Sequence, residues 1–123
     1  MLAQNEVMAF IPTKNAVEAR TFYEGKLGLR FVSDDDFALV VESGKTVIRI
    51  TKVEQFTPER FTILGWRVLN IEEEVRELSA RGVSFRRFPG MEQDDLGIWN
   101  APGGTKVVWF QDPDGNVLSL SQH

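Results

Sequence analysis

Few side chains here could carry out chemistry, and their types narrow what that chemistry would be. The only histidine is the terminal residue, His123, and there is no cysteine. Thiol nucleophiles, disulfides and thiolate metal sites are therefore all excluded. Carboxylates remain in three places: the Asp94-Asp95 pair, Glu24 beside Tyr23, and the run Asp112-Pro113-Asp114-Gly115-Asn116. Nothing in the spacing of the first two marks a proton-transfer pair. The third opens like a calcium loop, with acids at alternate positions, but it lacks the Gly and the closing Glu of such a loop in their required places. A tight turn is the better reading, because Pro113 fixes φ, the Asp side chains can bond their own downstream backbone, and Gly115 and Asn116 tolerate left-handed conformations. Arg49 and Arg67 are embedded in apolar stretches. Their forked donors suit an anionic or carbonyl oxygen, and a salt bridge to a carboxylate such as Glu42 is the structural alternative.

The elements that must position these groups can be read from periodicity. Residues 6–12 alternate as a half-buried strand and end at Pro12. Asn15-Ala16-Val17-Glu18 then offers an N-cap with Glu at the third helical position, a pairing in which each side chain can satisfy the other's free backbone donor. Ala16, Ala19, Phe22, Tyr23 and Leu27 form the buried stripe of the helix, and Gly28 gives its left-handed exit. Strands are predicted at 29–33, 37–43 and 46–52, separated by the Asp34-Asp35-Asp36 run and by Ser43-Gly44-Lys45.

After a short linker at 55–60 the same plan returns. A strand at 63–69 leads into Asn70-Ile71-Glu72-Glu73, a second Asn-x-x-Glu cap. Ile71, Val75 and Leu78 form its stripe, and Gly82 ends it. Strands follow at 83–88, around Trp99, at 105–111 and at 116–121. Two matching capped helices after matching strands mark a duplicated module. The predicted architecture is α+β: one domain of two β-α-β-β-β modules, about 6–53 and 62–121. The longer stretch from Pro89 to Gly104 reads as an irregular loop of the kind that rims a pocket. Trp66 falls on the face of Leu64 and Val68, the side that packs against a helix. Trp99 is balanced between lining a pocket and filling the core.

Composition removes whole classes of function. Hydrophobic residues make up 42% of the 123, enough for a packed interior. No run of 18 apolar residues and no basic flank leading into an apolar run argue for a membrane span or a signal peptide. The net charge of −4, with Lys and Arg scattered, lacks the phosphate-neutralising patch that nucleic-acid binding needs. A cytoplasmic home is the expectation.

Phe22-Tyr23, Leu27-Gly28-Leu29 and the closing Phe110-Gln111-Asp112-Pro113-Asp114-Gly115-Asn116, set in paired modules, give the chain a family resemblance. It resembles the vicinal oxygen chelate superfamily of glyoxalases, bleomycin-resistance proteins and extradiol dioxygenases, from Met8 to Ser121. The resemblance implies a curved mixed sheet from each module, a cavity enclosed by paired sheets, and a homodimer in which two chains contribute to each cavity. Metal-using members hold a divalent ion with His, Gln or Glu on the first and last strands of the modules. Carried over by position, those places fall at Met8, Arg49, Ile63 and Ser119, so a thioether, a cation, a hydrocarbon and a hydroxyl stand where donors are needed.

The resemblance therefore implies a metal-independent protein that binds a small organic ligand and needs no cofactor. Met8, Phe10, Ile63 and Trp99 would form apolar walls, with Arg49, Arg67 and Ser119 as polar anchors. The alternative is a glyoxalase- or dioxygenase-type metalloenzyme whose ligands lie in another register, for instance at Glu6 or Glu42.

Overall fold

The computed structural model describes residues 1–123, which form two compact units, Met1–Thr57 and Pro58–His123. In the first, β1 (Met8–Thr13) leads to α1 (Ala16–Arg20), and three strands follow: β2 (Arg30–Asp34), β3 (Ala38–Ser43) and β4 (Thr46–Lys52). They form one sheet in the order β1-β4-β3-β2, with β1 parallel to β4 and the other pairings antiparallel. Pro12 is accommodated because β1 is an edge strand, where a missing N–H need not break a ladder on both sides.

Register separates the two faces of this sheet. Ile11 pairs with Ile50 and Ile50 with Leu39, while Ile48 pairs with Val41, so all five side chains share a face. Each is no more than 1% exposed, in the core that also holds Ala19, Phe22 and Tyr23. Burying a side chain of this size contributes roughly 1.5–3 kcal/mol, so this layer dominates the stability of the unit. The helix departs from the regular form predicted for it. After Arg20 it widens into a π-helical segment, Thr21–Lys26, in which the Leu27 N–H bonds the Phe22 carbonyl five residues back at 2.9 Å. Phe22 and Tyr23 are both buried in that wider turn and meet edge to face at 5.1 Å.

The Asn caps form at both helices, but only by half of the reciprocal arrangement. Asn15 Oδ1 accepts from the Glu18 N–H and Asn70 Oδ1 from the Glu73 N–H, each at 3.2 Å. At the first cap the Asn15 N–H goes to Thr13 Oγ1 at 3.1 Å, which leaves Glu18 nothing to reach back for.

The second unit contains β5 (Thr62–Arg67), α2 (Ile71–Ala80), β6 (Trp99–Asn100), β7 (Lys106–Gln111) and β8 (Val117–Gln122), ordered β5-β8-β7-β6, with β5 parallel to β8. Ile71, Val75 and Leu78 form the buried stripe of α2, as the spacing predicts. On the sheet, Leu64, Leu118 and Phe110 share one row, and Trp66, Leu120 and Val108 the next. Trp66 stacks on Phe110 at 6.4 Å, which bears out its assignment to the core side.

The predicted strand at 83–88 does not form. Phe85 makes a single bridge to Phe110, and the Arg86 N–H donates to the Trp109 carbonyl at 2.8 Å. The edge of β7 is shared: β6 pairs with Lys106 and Val107 at one end, and residues 85–86 cover the other. What a partner strand would have satisfied is satisfied by one side chain. Gln93 Oε1 accepts from the Phe88 N–H, and its Nε2 donates to the Arg86 and Gly97 carbonyls, all at 2.8 Å. An amide with donors and an acceptor can thus stand in for a segment of backbone. No helix in the chain is long and apolar enough to cross a membrane.

Candidate functional site

Each sheet covers one face with its helix and leaves the other free of helix, and the candidate residues are best placed by the register of the free faces. In the first unit, Phe10, Arg49 and Val40 form one cross-strand row and Met8, Val47 and Glu42 the next. Arg49 is half-buried near the middle of the sheet, while Met8 and Phe10 are 50% and 64% exposed at its edge. The register therefore brings Met8, Phe10 and Arg49 onto one face.

Arg49 makes no salt bridge with Glu42. Glu42 pairs with Val47, one diagonal away, and the ion pairs of the chain are Arg20–Glu24, Lys52–Asp34, Arg81–Glu77 and Lys106–Glu72. The charge of Arg49 is nevertheless felt at Asp35, whose carboxyl lies below the usual value of 3.8. The main causes there are the amide hydrogen bonds of Ala38 and Phe37, with Arg49 and Lys52 adding smaller charge effects.

In the second unit the free face carries three rows: Thr62, Val117 and Gln111; Gly65, Ser119 and Trp109; and Arg67, Ser121, Val107 and Trp99. Ser119 is half-buried, and its hydroxyl has no protein partner. Arg67 is exposed and unbridged, so the salt bridge weighed for it is not made.

Ile63 is the exception to simple alternation. Thr62 pairs with Val117 and Leu64 with the adjacent Leu118, so Ile63 is the extra residue of a β-bulge and Thr62 takes the place on this face.

Trp109 sits at the centre of an aromatic cluster. Phe88 meets it edge to face at 5.4 Å and Trp99 meets it at 6.0 Å. Trp99 is half-buried in this cluster and also lines a groove of about 580 Å³ with Phe88, Met91 and Asn100. A second groove of about 460 Å³ is also lined by Phe88 and is bounded by Arg60, Arg86, Gln111 and Val117. The pairing of β7 with β8 across the tight turn sets Trp109 opposite Ser119. The positions of Phe88 and Arg86 depend on the Gln93 contacts, which no local pattern announces.

Three of the four acid–base candidates are otherwise engaged. Tyr23 is fully buried, and Glu24 pairs with Arg20 at 3.2 Å along the helix surface. Asp94 Oδ1 accepts from the Leu96 and Ile98 N–H groups at 2.9 Å each, an intra-loop role. In the closing turn, Asp112 Oδ1 accepts from the Asp114 and Asn116 N–H groups at 2.9 and 3.0 Å, and Oδ2 accepts from Asn116 Nδ2 at 2.8 Å. That carboxylate is spent on the turn, not on a cation.

The metal positions implied by the resemblance hold Met8, Arg49, Ile63 and Ser119. A guanidinium repels a cation, and neither a hydrocarbon nor a lone hydroxyl replaces an imidazole or carboxylate. No three His, Cys, Asp or Glu side chains are grouped to hold an ion anywhere in the chain. The residues present do not fit the metal of the metal-using members.

Two mixed four-stranded sheets, each β1∥β4-like in its outer pairing and each served by one Asn-capped helix, define a glyoxalase-like α+β fold. The chain belongs to the Glyoxalase/Bleomycin resistance protein/Dioxygenase superfamily, whose family model matches residues 4–120. Among solved structures it is similar to a bleomycin resistance determinant encoded on the transposon Tn5, at 19% identity over 98% of each chain with a TM-score of 0.77. It is likewise similar to an antibiotic-binding protein from Streptomyces, at 23% identity over 99% of this chain and 98% of that one, TM-score 0.74. A glyoxalase family protein from Enterococcus faecalis matches at 23% identity over 98% and 99%, TM-score 0.71. At these identities the likeness is one of fold. No curated protein matches the chain.

Proposed function

We propose that this protein binds a small organic ligand without a metal, on the helix-free faces of its sheets. The observation that carries the reading is Arg49: a half-buried guanidinium on an apolar face, without a carboxylate bridge, at a position where metal-using relatives would place a ligand. Such a group needs an anion, a carbonyl or water, because a buried charge left unpaired is costly. Met8, Phe10 and Val40 surround it with apolar area on the first sheet, and the second sheet by itself carries Trp99 and Trp109 with Ser119; apolar area with a few polar anchors is the usual make-up of a ligand site. The antibiotic-binding and bleomycin-resistance neighbours show that this fold can serve ligand binding.

We also propose a homodimer. The exposed apolar side chains at the start of β1, with Val7 at 74% beside Met8 and Phe10, are of the kind that a second copy would cover. The compartment we infer is the cytoplasm, a reading that rests on the sequence.

The test is elemental analysis of protein purified without chelators, with a ligand screen on wild type and Arg49→Ala. Arg49→Ala should weaken an anionic or carbonyl ligand by about 1.5–3 kcal/mol, the range for a hydrogen bond to a charged group. Stoichiometric Zn, Ni, Mn or Fe that confers turnover would establish the metalloenzyme alternative instead. Sedimentation at micromolar concentration decides between the dimer and a 14.0 kDa monomer.

A further inference from the structure

The geometry points to a subsite for a planar aromatic carboxylate in the groove beside Phe88, with the carboxylate on Arg60 and Arg86 and the ring against Phe88. The inference rests on the ligand-binding reading and names the class of ligand. The groove, about 460 Å³, is within the range of roughly 300–1,000 Å³ typical of small-molecule sites. Arg60 and Arg86 both line it, and neither is in an ion pair. Glu59 is the sole carboxylate in the lining, so two cations face one anion in a chain whose net charge is −4. A local excess of positive charge against that background selects anions, and two guanidinium forks match the oxygens of a carboxylate.

Arg86 stands on backbone that is already held, and Arg60 follows a proline packed on the closing turn. Pro58, two residues before Arg60, lies so close to Gly115 that a Cβ added there would come within 3.2 Å of Pro58 Cγ. The linker is thereby seated on the closing turn, which Asp112 locks from within. Arg86 is fixed from both sides: its N–H donates to the Trp109 carbonyl, and its own carbonyl accepts from Gln93. Backbone held in advance lowers the ordering cost of binding.

The remaining wall supplies the preference for a ring. Phe88 is buttressed edge to face by Trp109, and the Arg86 guanidinium lies 5.9 Å from the Phe88 centroid. Val117 adds apolar floor. A ring laid on Phe88 can thus direct a carboxylate towards Arg86.

The test is calorimetric titration with 1-naphthoate, its neutral counterpart 1-naphthylmethanol, and inorganic phosphate. Wild type is compared with Arg60→Gln, Arg86→Gln, the double variant and Phe88→Leu, with thermal melts confirming that each folds. Wild type should bind naphthoate at least tenfold more tightly than the alcohol or phosphate. Each Gln variant should lose about tenfold for naphthoate and nothing for the alcohol, while Phe88→Leu should weaken both aromatics. Equal binding of acid and alcohol, or a double variant that binds naphthoate undiminished, overturns the subsite but leaves the broader ligand-binding reading standing. Absence of binding by either aromatic also overturns the subsite, and the broader reading is then decided by the Arg49→Ala screen alone.

Discussion

Gly65 and Ser119 face each other across β5 and β8 so closely that a Cβ added to Gly65 would lie 3.0 Å from Ser119 Oγ and 3.3 Å from the Ser119 carbonyl oxygen. The hydroxyl could rotate away, but the carbonyl belongs to a strand paired on both sides and cannot. Gly65→Ala should therefore destabilise by about 1–3 kcal/mol through overpacking. Ser119→Ala in the same chain should recover only part of that loss. Urea unfolding of the two single variants and the double reads the coupling, and an unchanged midpoint for Gly65→Ala would show that the neighbouring strand yields.

Asp112 should matter to stability, not to any cation. Its buried carboxylate satisfies two backbone amides and the Asn116 side chain, so Asp112→Ala leaves several donors without partners. A loss of about 2–4 kcal/mol is expected at neutral pH, from roughly 1–3 kcal/mol for each buried group left unsatisfied. Added calcium should not raise the melting temperature of the wild type, and a calcium-dependent rise would restore the ion-loop reading.

Gln93 holds the loop that carries Phe88 and Arg86. Gln93→Ala removes three hydrogen bonds at once, to Phe88, Arg86 and Gly97. Hydrogen exchange at the Phe88 amide should accelerate by at least tenfold, while amides of β3 and β4 in the first unit keep their protection. Uniform acceleration across both units would instead mean that Gln93 contributes to global stability.

Asp35 provides a pH signature. Its carboxylate accepts from the Ala38 and Phe37 N–H groups at 2.9 and 2.7 Å, which favours the ionised form. Because its folded value is lowered from 3.8, its stabilising contribution is present above that value and is lost as the pH falls through the lower folded value. An NMR titration should place the Asp35 midpoint below 3.8, and Arg49→Ala should move it upward by removing a favourable charge. A midpoint unmoved in Arg49→Ala would show that water screens the pair completely.

The duplicated plan of the chain is legible in its residues, because local chemistry dictates it. Asn15 and Asn70 can each offer an oxygen to an amide three residues on, Gly28 and Gly82 adopt the positive φ of a helix exit, and Asp112 folds its own turn. Period-two alternation also put Met8 with Phe10 and Arg49 with Val47, and the unbroken pairing of β1 with β4 then sets the two sets on one face. Tertiary structure alone decided what happens where alternation breaks or where distant residues compete for the same hydrogen bonds. The bulge at Ile63 follows from how β5 registers on β8, and the strand absent from 83–88 follows from Gln93 reaching back to satisfy its backbone. The groove of Arg60, Arg86 and Phe88 depends on both the edge of β7 and the seat of Pro58 on Gly115, contacts between residues far apart in the chain that no local pattern encodes.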